Sequence, residues 1–136
     1  MSSLTRAHAR SLIEAAFSAD AAEGLRLSIA VTDAGGHLLA FDRSENANLA
    51  TIDIAIKKAR TAVYFRAATR YLTAPMQPGG SVYTAELTGG GLVAIPGGVP
   101  ITDADGQVIG AIGISGGSSE QDDTIATAAL GLKPAE

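Results

Sequence analysis

The sequence predicts an α+β fold, helices bracketing a mostly antiparallel sheet. Apolar residues recur at helical spacing in three stretches, residues 5–22, 50–66 and 119–130. The segments "VTDAGGHLLA" (31–40) and "ITDADGQVIG" (101–110) are near copies of one another, each with Thr-Asp-Ala and a glycine between apolar runs. Strands do not alternate with helices along the chain, as a doubly wound parallel sheet requires.

The first helix follows from Thr5, a side chain suited to capping, and from Ala9, Leu12, Ile13, Ala16 and Phe17 along one face. Gly24 ends that segment. "LRLSIAVTD" then alternates Leu25, Leu27, Ile29 and Val31 against Arg26, Ser28, Ala30 and Thr32, a strand with one buried face. In each near copy, Asp and Gly fit the turn of a β-hairpin. The second helix places Ile52, Ala55, Ile56, Ala59 and Val63 on its predicted core face, and a shorter helix over 67–74 runs into Pro75 and "QPGG". "GLVAIPGGVPI" predicts a further short strand and a Pro-Gly-Gly corner before the second hairpin, and the last helix spans 119–130.

The 136 residues are the length of one domain, taken here as 1–136. No window supports a membrane span or a secretory signal, so a cytoplasmic protein without membrane partners is expected. With no cysteine, disulfides, zinc-thiolate sites and thiol nucleophiles are excluded. Two histidines are too few for a His-rich metal site. The formal charge is −4 and the ten basic residues are scattered, which argues against nucleic acid as a partner.

Candidate site residues cluster at two glycine corners and one lysine. In "ISGGSSEQDD", Ser118 with Gln121, or Ser119 with Asp122, makes a helix-capping arrangement, and Glu120, Asp122 and Asp123 fall in a first turn that favours acids. Capping leaves the pair Gly116 and Gly117 unexplained; backbone without side chains leaves space for a ligand or another chain. Gly97 and Gly98 of "IPGGVP" offer a second bare corner, and the two together would floor a pocket. Lys58 shares a helix edge with Ile54, Ala62 and Phe65, an ammonium on an otherwise apolar second face. Such a face lines a pocket, forms a subunit interface across which the lysine snorkels, or is plain surface. His8 sits on the flank of the first helix, as an exposed polar residue or as a ligand for iron.

The blocks "SIAVTDAGGHLLAF", "TIDIAIKKARTA", "QPGG", "GGLVAIPGGVPI" and "VIGAIGISGGSSEQDD" resemble, in order, the signatures of the GlcG/HbpS family, which includes the C-terminal domain of PduO-type proteins. The resemblance implies a profilin-like fold, a five-stranded antiparallel sheet with helices on both sides, and homo-oligomers. It also implies binding of haem or another tetrapyrrole. On that resemblance Lys58, Gly97, Gly98, Gly116, Gly117, Glu120, Gln121 and Asp122 match family blocks, and His8 lies in the helix where some relatives carry a histidine ligand.

Two functions are expected from these residues. One is a small-molecule binding protein for haem or a related planar, carboxylate-bearing molecule, held by Lys58, the glycine corners and His8. The other is a cofactor-independent hydrolase, isomerase or tautomerase of a catabolic pathway. There Lys58 would stabilise an oxyanion and Glu120 or Asp122 would move a proton.

Overall fold

The computed structural model describes residues 3–133, so the first two and last three positions of the expected 1–136 domain lie outside the described residues. Three helices and four strands follow in the order α1 (Arg6–Phe17), β1 (Ser28–Asp33), β2 (Leu38–Arg43), α2 (Ala50–Phe65), β3 (Gly98–Thr102), β4 (Val108–Ser115) and α3 (Ser119–Ala129). All strand pairings are antiparallel, and the sheet order is β2-β1-β4-β3.

The two near-copy segments fold as twin hairpins. Asp33 Oδ1 accepts from the amides of Gly35 and His37 at 2.9 and 3.0 Å, and Asp103 Oδ1 accepts from those of Asp105 and Gln107 at the same distances. Gly36 and Gly106 take the left-handed conformation that each turn needs. A register shift falls at the equivalent step in both, Val31/Thr32 and Ile101/Thr102.

A fifth strand over "GLVAI" does not form. The Leu92 amide donates to Glu86 O, the Val93 amide to Thr61 Oγ1 and the Ala94 amide to Glu86 Oε2, so these donors are taken by α2 and a neighbouring turn. A segment whose N–H groups are bonded elsewhere has none to give a ladder. The sheet therefore has four strands among the described residues, against the five that the resemblance implied.

The expected helix over 67–74 shrinks to a single 3₁₀ turn, Thr69–Tyr71. Arg66 takes a left-handed conformation that closes α2, with the Ala67 amide returning to Ala62 O at 3.1 Å. Thr69 Oγ1 then donates to Ile95 O and accepts from the Gly98 amide, and Thr73 Oγ1 donates to Ala94 O. These threonines anchor the 94–98 segment in place of continuing a helix. The first helix likewise stops at Ser18, and Ala22 reaches the core from a separate 3₁₀ turn, Asp20–Ala22.

The core lies on both sheet faces and differs between them. On one, α1 and α3 pack Leu12, Ile13, Ala16, Ile125 and Ala126 against Leu27, Ile29, Val31, Ile112 and Ile114. On the other, α2 lies so close that a Cβ on Gly113 would stand 2.0 Å from Ala55 O, and one on Gly98 2.3 Å from Lys58 O. Gly98 and Gly113 are partners across β3 and β4. Such an approach favours small side chains, so α2 turns Ala55, Ala59 and Ala62 inward, with Lys58 threading past the sheet end, and leaves Ile52, Ile54 and Ile56 half-buried on its flanks. The inward face is thus rotated from the one predicted, and Ala62 joins it.

Candidate functional site

Lys58 is not at the surface: it is 1% exposed. Its Nζ donates to Ile114 O at 2.8 Å and to Asp122 Oδ2 at 3.0 Å. Asp122, equally buried, accepts from the Gly117 amide on Oδ1 at 2.9 Å. Lys58 belongs to α2 on one sheet face and Asp122 to the first turn of α3 on the other, so the pair ties the two layers past the end of the sheet. Burial pushes the Lys58 ammonium pKa below 10.5, and the charge and hydrogen bond of Asp122, with a smaller contribution from Asp123, oppose that fall.

The two glycine corners converge on this pair, as a pocket floor would require, but protein fills the space between them. A Cβ on Gly97 would meet Ile114 O, Asp122 Cβ and Lys58 Nζ, all within 2.9 Å; one on Gly116 would meet Arg26 O at 2.2 Å. On Gly117 it would meet Gln121, Leu25 and Asp122. These glycines, like Gly98, clear room for the chain's own atoms. Ser118 and Gln121 form a full capping box, Ser118 Oγ accepting from the Gln121 amide at 3.1 Å and Gln121 Oε1 from the Ser118 amide at 2.8 Å. Glu120 is exposed, and the partners of Lys58 are Asp122 and Ile114 O.

His8 is exposed on α1 and lines a cleft of about 210 Å³ with Leu12, Pro100, Ile101, Thr102, Leu130 and Leu132. Pro100, Thr102 and Leu132 also line a larger cleft of about 590 Å³ on the α2 side of the sheet. The two adjoin around β3, whose outer edge pairs with no other strand among the described residues. The larger cleft has apolar walls from Val63, Ala67, Ala68, Val99 and Val108, and its polar side chains are Arg66, Arg70, Tyr71, Thr102 and Gln107. Neither Lys58 nor Asp122 lines either cleft. The structure therefore separates His8 from the lysine with which the sequence reading had grouped it.

Arg66, Arg70 and Tyr71 were not singled out from the sequence. The usable signal was "FRAATRY" (65–71), which concentrates two arginines and two aromatics in a chain with only six aromatic residues. It directly follows the second helix, where a ligand-facing turn has room to form.

Residues 4–131 match the family described as "Haem degrading protein HbpS-like". An uncharacterized 15.0 kDa protein of Citrobacter freundii, from the dhaT-dhaS intergenic region, is 42% identical over 101 residues, 74% of this chain and 70% of that protein. The corrinoid adenosyltransferase PduO of Citrobacter freundii is 40% identical over 102 residues, 75% of this chain and only 30% of PduO. Among solved structures, Klebsiella pneumoniae ORFY matches with a TM-score of 0.89 at 32% identity, covering 96% of this chain and 90% of that one. The PduOC:heme complex matches with a TM-score of 0.87 at 34% identity, covering 96% and 94%. A match spanning both glycine corners and all three helices places the chain in the HbpS-like family.

Proposed function

We propose that this chain binds haem, or a related planar carboxylate-bearing molecule, in the paired clefts around the free edge of β3. The observation that carries the reading is the arrangement itself. An exposed imidazole lies on one side of the edge and two arginines on the other, with apolar walls between. The larger cleft falls within the usual size of small-molecule sites, about 300–1,000 Å³, and its mix of apolar wall and few polar groups is typical of them. The residues fit the group: His8 is a nitrogen ligand of the kind iron takes, Leu12, Pro100, Val99 and Leu130 suit a flat macrocycle, and the guanidinium groups suit its carboxylates. Bound haem would supply a redox-active iron, and this chain's part would be to ligate, orient and shield it. The description of the family and the heme complex of the PduOC relative point the same way.

Titration with haem tests the reading. The wild-type protein should give a saturable Soret shift, and His8→Ala should weaken or displace it. Absence of a saturable shift in the wild type overturns the proposal. Cofactor-independent chemistry on Lys58 with Glu120 or Asp122 is less well supported, because the ammonium is enclosed and already held by Asp122 and Ile114 O, while Glu120 is exposed. We also propose that the protein works as a homo-oligomer with the clefts near a subunit boundary. Tyr71 and Leu132, which line the larger cleft, are 64% and 53% exposed, and Phe65 on the adjacent end of α2 is exposed as well.

A further inference from the structure

We infer that Arg66 and Arg70 form a carboxylate-recognising subsite, in which Arg70 keeps Asp123 on Nη1 and offers its Nε and Nη2 side to the ligand's carboxylate, against the opposing charge of Asp123. The inference rests on the reading of the β3 clefts as a ligand site. Both arginines line the larger cleft. Among the described residues the ion pairs are Lys57–Asp53, Lys58–Asp122 and Arg70–Asp123, which leaves Arg66 unpaired. Arg66 also holds a left-handed backbone, φ +50°, at a helix end where glycine is the easier residue.

Arg70 is only partly used by the protein. Its Nη1 donates to Asp123 Oδ1 at 3.0 Å, the Asp123 Oδ2 contact is 3.4 Å, and Nη2 reaches Tyr71 Oη at 3.4 Å. Its Nε is buried with no hydrogen-bond partner. A buried donor without an acceptor is costly and uncommon. The Nε and Nη2 side of a guanidinium is one of the faces that grips a carboxylate by two parallel bonds. Here it has only the long Tyr71 contact. The Tyr71 ring lies against the guanidinium, 4.7 Å from its Cζ, yet is itself mostly exposed, so it is a cover that a ligand can move. A carboxylate arriving from the cleft would satisfy Nε, complete the two-pronged bond and be joined by Arg66.

The probes are metal-free protoporphyrin IX, with free carboxylates, and its dimethyl ester, both in the same dilute detergent. Binding is read from porphyrin absorbance and fluorescence, which need no iron and no His8. The wild type should bind the acid about tenfold or more tighter than the ester, the span of one charge-assisted bond. Arg66→Gln and Arg70→Gln should each reduce that preference. Asp123→Asn, which removes the negative charge that opposes a second carboxylate on Arg70, should increase it.

A purely structural Arg70–Asp123 pair would make Arg70→Gln and Asp123→Asn shift affinity in the same direction, and that result overturns the inference. Equal binding of acid and ester by the wild type overturns it too, and leaves the haem reading intact if His8-dependent haem binding persists. Displacement of protoporphyrin by succinate at comparable concentration, lost in Arg66→Gln, supports the subsite but assigns it to a small free dicarboxylate, against the tetrapyrrole reading.

Discussion

Removing one member of the buried Lys58–Asp122 pair should destabilise the fold far more than removing both. Asp122 uses its two oxygens separately, Oδ2 for Lys58 and Oδ1 for the Gly117 amide. Asp122→Asn can keep the Gly117 bond while stranding an ammonium that is 1% exposed; Lys58→Met strands a carboxylate with one remaining donor. Breaking a buried pair from one side costs about 3–5 kcal/mol, whereas exchanging both charges for neutral groups of similar volume is often near neutral. At about 2.1 cal/mol/K per residue, 136 residues give an unfolding entropy near 0.29 kcal/mol/K, so each single variant should melt about 10–17 °C lower. The double variant Lys58→Met/Asp122→Asn should recover most of that loss. Calorimetry or circular-dichroism melting at fixed protein concentration closes the double-mutant cycle. Single variants costing under about 1 kcal/mol, with a double equal to their sum, would refute the reasoning, because surface pairs behave that way.

Lys58 also sets a pH dependence. Its pKa is lowered by burial, so above that lowered value and below 10.5 the unfolded chain holds a proton that the folded one has lost, and this residue's contribution to stability rises with pH there. Urea unfolding of wild type and Lys58→Met across that range should show the rise only in the wild type. Gly113→Ala should destabilise by about 3 kcal/mol or more, beyond ordinary overpacking, because its Cβ would land on the backbone of α2. Ser118→Ala should cost about 1 kcal/mol by removing one half of the capping box, measurable as a shift in urea midpoint. Sedimentation at micromolar concentration should show an oligomer that Phe65→Glu weakens; a wild-type monomer would count against the assembly proposal.

What the sequence revealed was whatever depends on near neighbours. The twin Asp-Gly turns, the Thr5 cap and the Ser118–Gln121 box are set by residues two to four positions apart, and they appear as read. The face of α2 differs from the one its pattern predicts, because helical spacing alone turns the large residues Ile52 and Ile56 inward. The available space decides otherwise: a helix seated on Gly98 and Gly113 has room for alanines and for one lysine that threads past the sheet. The partner of that lysine lies 64 residues along the chain, and nothing local to Lys58 announces it. The clefts were hidden for the same reason, since they gather residues from α1, the turn after α2, β3, and the segment after α3. An absent fifth strand was equally illegible, because the side chains of Thr61 and Glu86 that claim its donors belong to other elements.

Pro100 gives the free side of β3 a meaning for self-assembly. A strand with an open edge invites the same strand of another molecule to continue the ladder, which is how fibres grow. Proline offers no amide at that position, and the two clefts occupy the ground on either side. Extension of the sheet by a second copy is thereby hindered at this edge.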